Sequence, residues 1–356
     1  MAKLNKTELL SLIEWADNDL KAEIYIPNDI FGMLAKNDEL NKTHGTRRST
    51  HVSEAYCYLV LVTYLYRNCK YSIMEDVSMK ALQQIIGFNY EYKKFNYVIK
   101  KDGVLDKMGL TNTISLKDAP IMYEMGSDFH EGYSYFKRDG HVNFITQEEY
   151  DERNLEDSDV EILKQLGIRK SVKNAKVKEP TFALYNEENE YGQGTFFGFA
   201  DSNNVANTHK VDLKVFIECM TNENLGCTAF YLYSFLQWKC QTTQGKRGQT
   251  EIALDTIMYN TGVLRGGRDK ALHGLKAHGL INCIPAPFIV GATEGEGSNI
   301  YSINGIEEYT QQENKYSIRA LIPVKSIEVK AEIEKKKKEV KYFDVEKHIK
   351  NSKQGK

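Results

Sequence analysis

Two stretches of this sequence set cations on one side of a helical repeat and apolar side chains on the other. In the first, Lys93, Asn96, Tyr97 and Lys100 fall at i, i+3, i+4 and i+7, with Lys94 and Lys101 beside them and Phe95, Val98 and Ile99 opposite. In the second, Arg265 and Arg268 stand at the N-terminal end of an expected helix, and Lys270, His273 and Lys276 continue along its polar side. Ala271, Leu272 and Leu275 lie at i+3, i+4 and i+7 from Arg268, and Asp269 is the one negative charge among them. Such a helix suits the major groove of a DNA duplex, about 12 Å wide, which admits one helix with a braced apolar back and a cationic front. Arginine can fork onto guanine O6 and N7, whereas lysine mostly neutralises phosphate, so the second stretch is expected to read sequence and the first to supply affinity. Gly266 and Gly267 would let backbone approach a sugar-phosphate rail, while Gly274 reads equally as a close helix contact.

Other chemistries lack their residues. No His-x-His, Gly-x-Ser-x-Gly, His-Glu-x-x-His or Cys-x-x-Cys occurs, and the position five before Gly245-Lys246 is Cys240 where a phosphate loop needs glycine. His273 and His278 point to different faces of a helix. The six cysteines, at 57, 69, 219, 227, 240 and 283, sit singly in apolar patterns and read as reduced, buried thiols. The glycine-rich run from Tyr191 to Gly198 has no helix and Lys after it. The eight carboxylates between Glu148 and Glu161 have no spacing that converges them, and read as a solvated face. The expectation is therefore a protein that is not an enzyme and has no metal or cofactor.

The elements that must hold the two stretches recur in the same order. Helices are expected from Thr7 to Asp17, from an N-cap at Ser53 to Tyr66, from Ser78 to a stop at Gly87, and from Tyr90 to Lys101, closed by Asp102-Gly103. A strand precedes them at Glu23 to Pro27, and another, Thr111 to Leu116, follows. In the second half, helices are expected over Cys227 to Cys240, Glu251 to Asn260 and Gly267 to His278. Strand-like segments Leu280 to Val290 and Asn299 to Ile303 then flank a turn at Gly291 to Ser298, where Glu294 and Glu296 would repel phosphates. The expected fold class is α+β, mainly α: two winged-helix (helix-turn-helix) units with a mixed central insert and a basic C-terminal tail. The expected domains are 1–118, 119–207, 208–323 and 324–356. The basic residues Arg169, Lys170, Lys173, Lys176 and Lys178 fall in the insert. Arg47 and Arg48 fall in the loop before the first unit.

Composition limits the partners. With 41% hydrophobic residues and six prolines, the 356-residue chain can bury a sizeable core. A net charge of −2 excludes a uniformly basic protein, so attraction to polyanions must be local. The tail from Lys335 to Lys356 carries nine lysines and suits a non-specific arm along phosphates or a solubilising end. The longest apolar run, Tyr56 to Tyr66, is about half of the roughly 20 residues a membrane span needs. Glu8, Glu14 and Asp17 interrupt any signal peptide, so a cytoplasmic protein without membrane contact is expected.

The stretches Ser78 to Gly87 with Tyr90 to Lys101, and Thr250 to Gly262 with Leu264 to Leu280, resemble the tandem winged-helix DNA-binding proteins of plasmids and phages of low-GC Gram-positive bacteria, especially theta-type replication initiators. The resemblance covers Thr50 to Leu116 and Thr208 to Ser302. It implies sequence-specific binding to repeated sites on double-stranded DNA near an origin, with two units in successive major grooves about 34 Å apart. Host replication proteins would be partners, and a homodimer is an option. Two other readings stay open: a transcriptional regulator on the same surfaces, and a protein-docking winged-helix module using Tyr56, Tyr58 and Tyr97.

Overall fold

A computed structural model describes residues 3–14, 23–41, 51–89, 92–125, 142–152, 175–181, 184–185, 195–196, 208–242, 248–286, 288–290, 297–316 and 321–323. The fold is mixed α/β, about half helical, with small sheets that are antiparallel except for one parallel strand pair. The expectations for residues 42–50, 153–174, 291–296 and 324–356 lie outside the described residues, as does most of the glycine-rich run.

Two helices form the centre. Helix α4 (Val52–Arg67) is apolar around most of its circumference, and every residue but Glu54 is buried. It follows α1 (Lys6–Leu12), β1 (Glu23–Pro27), α2 (Ile30–Ala35) and α3 (Asp38–Asn41). His51, not Ser53, precedes the first turn of α4. The Ser53 hydroxyl instead meets Glu54 Oε2 at 3.1 Å and Thr228 Oγ1 at 3.1 Å. Its counterpart, the Cys227–Thr242 helix, is buried from Ala229 through Leu236. The two pack together: Cys57 Sγ donates to the Cys227 carbonyl at 3.6 Å, and the rings of Tyr56 and Tyr231 lie 5.1 Å apart. Phe31 of α2 plugs one end of this contact. Its ring is stacked on Trp238 (5.4 Å, 3°) and surrounded by Tyr56, Tyr231, Phe235 and His209. Each such pair adds about 0.5–1.5 kcal/mol beyond the area it buries.

The rest of the first half comprises α5 (Met79–Ile85), capped by Ser78 Oγ, α6 (Asn96–Ile99), α7 (Val104–Lys107) and β2 (Thr111–Ser115). Among the described residues of the expected Tyr90-to-Lys101 helix, only the four of α6 are helical. Phe88 stacks on Tyr92 (4.6 Å, 6°) and also meets Phe95, and residues 92–95 are irregular with a turn at 94–95. After α6, Lys100 is extended and Asp102 takes φ +56°. Strands β3 (Met122–Met125) and β4 (Val142–Ile145) form a hairpin, followed by α8 (Gln147–Glu152). Strand β5 (Lys176–Pro180) then pairs antiparallel with β2 over its full length, Thr111 opposite Pro180. Beyond the small pair β6 (Leu184–Tyr185) and β7 (Thr195–Phe196), β8 (Thr208–Asp212) pairs with β1. These ladders cross the expected boundaries at 118 and 207.

In the second half, Asp212 caps α9 (Leu213–Thr221), and the Cys227–Thr242 helix is α10. Residues Gln249–Ile252 form strand β9, not the start of a helix. The helix α11 (Leu254–Thr261) begins after it and ends at Gly262, where a φ of +68° and the 3.2 Å at which a Cβ would approach Ala35 Cα both suit glycine. Helix α12 (Arg265–Ala277) precedes β10 (Ile281–Ile284) and β12 (Asn299–Ile303), in a sheet of order β10-β12-β9. The expected strand to Val290 is interrupted at Pro285. Its end, β11 (Phe288–Val290), runs parallel to β13 (Leu321–Pro323). One hydrophobic cluster joins both halves.

Candidate nucleic-acid interface

The cations of the second stretch all lie on α12 and divide by burial. Ala271, Leu272 and Leu275 face inward, at 4%, 4% and 0% exposure. Arg268 goes with them, because it heads the same stripe, and is 3% exposed. Its guanidinium reaches Asp269 Oδ1 through Nε (2.8 Å) and Nη2 (2.7 Å), and lies 3.7 Å from Asp255 Oδ1 on α11. Arg268 thus ties α12 to α11 and is not presented to a groove. Arg265 is exposed, with only a 3.9 Å contact to Asp269 one turn on, and Lys270 and His273 are also exposed.

Tyr316 lies over the far end of this face. Its hydroxyl bonds His273 Nδ1, and Lys276 Nζ sits 4.5 Å above its ring. The segment carrying it is anchored by Thr310 N donating to the His278 carbonyl (3.0 Å) and Asn314 N to the Ala277 carbonyl (2.7 Å). His278 itself is buried, its Nδ1 2.8 Å from the Thr310 carbonyl, so it shares nothing with His273. Among the described residues no group of three or more His, Cys, Asp or Glu converges. A Cβ at Gly266 would meet open space. One at Gly274 would come 2.8 Å from the Asn224 carbonyl, so that glycine serves close helix–loop packing.

In the first half, Lys93, Lys94, Lys100 and Lys101 are exposed, and Phe95, Val98 and Ile99 are fully buried behind them. Asn96 and Tyr97 are pinned. Asn96 Oδ1 accepts from Gln83 Nε2 at 2.7 Å, and the Tyr97 hydroxyl donates to the Glu39 carbonyl at 3.2 Å and lies 3.1 Å from His51 Nδ1. Burial, with Glu39 and Glu54 nearby, pushes the Tyr97 phenol up to about 12. Tyr56 and Tyr58 are 0% and 1% exposed, which removes them from any docking surface.

A cluster that sequence reading assigned only to a basic stretch fixes the Lys100 end. Lys178 of β5 is buried, its Nζ 2.5 Å from Asp106 Oδ1, 2.7 Å from Thr113 Oγ1 and 3.1 Å from the Lys100 carbonyl. Burial pushes the Lys178 ammonium down. Burial alone would raise the Asp106 carboxyl, but hydrogen bonds from Lys178, Thr111 and Thr113 hold it below its usual range. The burial of Val177 and Lys178 side by side on β5 was the part no alternation pattern announces. Tyr259 on α11 was also missed. It is 82% exposed, unusual for so large a ring, close in sequence to Arg265.

All six cysteines are free thiols, five of them buried, as their apolar settings predict. Among the described residues no helix is long and apolar enough to cross a membrane. No protein-family profile matches this chain, and no curated protein or solved structure shows significant similarity to it.

Proposed function

We propose that this protein is a sequence-specific double-stranded DNA-binding protein of tandem winged-helix type, acting in plasmid or phage replication initiation. One observation carries the reading: α12, with an apolar stripe against the core and Arg265, Lys270 and His273 outside, follows α10 and α11 and leads into strands β10 and β12 of the antiparallel sheet β10-β12-β9. The chain order α10, β9, α11, α12, β10, β12, with β10 and β12 as antiparallel neighbours although β11 lies between them in sequence, supports a helix-turn-helix unit with a wing. Reading of bases falls to Arg265 and Lys270. Lys93, Lys94, Lys100 and Lys101 act as phosphate contacts, because they flank a four-residue helix too short to follow a groove. Host replication proteins are the expected partners after DNA.

Fluorescence anisotropy with duplex fragments selected from the host replicon tests this. Log affinity should fall linearly with log salt, and the selected fragments should contain direct repeats beside an origin. A promoter operator without origin activity would make the protein a regulator. Undetectable duplex binding at low salt would end the DNA reading.

A further inference from the structure

Beside α12 lies a cleft of about 510 Å³, within the size range of small-molecule sites and far larger than a bare anion needs. Its floor is formed by β10 and β12, through Asn282, Ile284, Ile300 and Ser302 on one face and through Ile281 and Cys283 of the alternate set. The strand register places Ile284 opposite Ile300 and Asn282 opposite Ser302, while the alternate residues Ile281 and Tyr301 turn inward and are buried. The outward face therefore carries an apolar pair next to a polar one. The amides beside it are held in place: Asn282 Nδ2 donates to Asn304 Oδ1 at 2.9 Å, and Asn304 Nδ2 donates to the Gly279 carbonyl at 2.7 Å. The opposite wall is the segment anchored on His278 and Ala277, which brings Lys315 and Tyr316 to the lining that Lys276 also shares. Glu308 is the one carboxylate among the lining residues, against two ammonium groups.

We propose that this cleft binds a nucleoside monophosphate unit, with the phosphate between Lys276 and Lys315 and the base laid on Ile284 and Ile300, its edge hydrogen-bonded by Asn282. Each part of the ligand answers one part of the lining. Two ammonium groups in the lining, against one carboxylate, select an anion. An apolar pair accepts the face of a flat ring, and pre-set amides match the donors and acceptors of a base edge. The unit has two sources, a free mononucleotide or the nucleotide of a single strand.

Isothermal titration calorimetry on the full chain distinguishes them, using AMP, dTMP, thymidine, inorganic phosphate and a short oligothymidylate as probes. The mononucleotides should bind at least about tenfold more tightly than phosphate or thymidine alone. Lys315→Ala and Asn282→Leu should each weaken them by about tenfold, with melting curves unchanged. Tighter binding of the oligothymidylate, lost in the same two variants, would support the site and assign it to a strand. Tighter binding of the mononucleotides would assign it to a free nucleotide. The proposal is overturned if no nucleotide binds at millimolar concentration, if both variants bind like wild type, or if phosphate alone binds as well as the nucleotides. None of these outcomes depends on duplex binding by α12.

Discussion

At the scale of single residues, the two arginines of α12 have separate duties despite lying three positions apart. Arg265 is exposed and available to a partner. Arg268 is an internal strut between Asp255 and Asp269. Arg268→Ala should lower stability by about 1–3 kcal/mol, read as a shifted urea midpoint, because it empties a packed site and unties α11. Arg265→Ala should leave that midpoint in place and lose about 1–3 kcal/mol of discrimination between cognate and scrambled duplexes. Lys93→Ala should weaken all duplexes alike and reduce the salt slope by about one. His209 gives a pH prediction. It is fully buried, with Nδ1 3.1 Å from Asn28 Oδ1 and Nε2 2.8 Å from the Tyr56 hydroxyl, so Nδ1 carries the proton and Nε2 accepts. Burial pushes its pKa down to about 3 from the usual 6.5. Below pH 6.5 the unfolded chain takes up a proton that the folded chain refuses. This contribution is therefore complete above about pH 6.5 and is lost as pH falls towards 3, at up to about 1.4 kcal/mol per pH unit. Urea unfolding across that window should show this slope, and His209→Gln should flatten it.

At the scale of elements, α12 is placed by what touches its glycines. Gly274→Ala would force a Cβ to 2.8 Å from the Asn224 carbonyl and should cost about 1–3 kcal/mol by displacing the 224–225 loop. Gly266→Ala meets nothing within 4 Å and replaces a poor helix former, so it should raise stability by up to about 1 kcal/mol. If a sugar-phosphate rail approaches there, the same substitution lowers duplex affinity. Thermal melting and anisotropy on the two variants separate packing from approach. The first half shows why helix periodicity overreaches. The i, i+3, i+4, i+7 spacing from Lys93 to Lys100 is a valid helical pattern, and its apolar side is fully buried. Yet Phe88, Tyr92 and Phe95 stack across an irregular segment, and α6 keeps only four residues.

At the scale of the whole molecule, the halves share one buried cluster. α4 packs on α10, β1 pairs with β8, and Lys6 of α1 forms an ion pair with Glu218 of α9. The Lys3 ammonium, pushed down by burial, donates to the Asn222 carbonyl at 2.6 Å where α9 ends. Chains 1–207 and 208–356 made separately should each expose half of one core. Circular dichroism should show weak cooperativity for each alone, and a sharp unfolding transition on mixing or in the full chain. Two independent transitions in the separate pieces would contradict a shared core.

Local pattern alone determined which side chains must be removed from water. The burial of α4 and α10, the Phe95, Val98 and Ile99 stripe, the inert thiols and the stop at Gly262 all follow from periodicity and backbone preference, which act within a few residues. Even the burial of Arg268 was present in its spacing from Leu272 and Leu275, though its charge argued otherwise. Tertiary structure decided the rest. The pairing of β2 with β5, the Lys178–Asp106 contact and the seat of Tyr316 on His273 bring together groups 43 to 72 residues apart. Such contacts depend on loop closure and on competition among many partners, and no local pattern specifies which partner prevails.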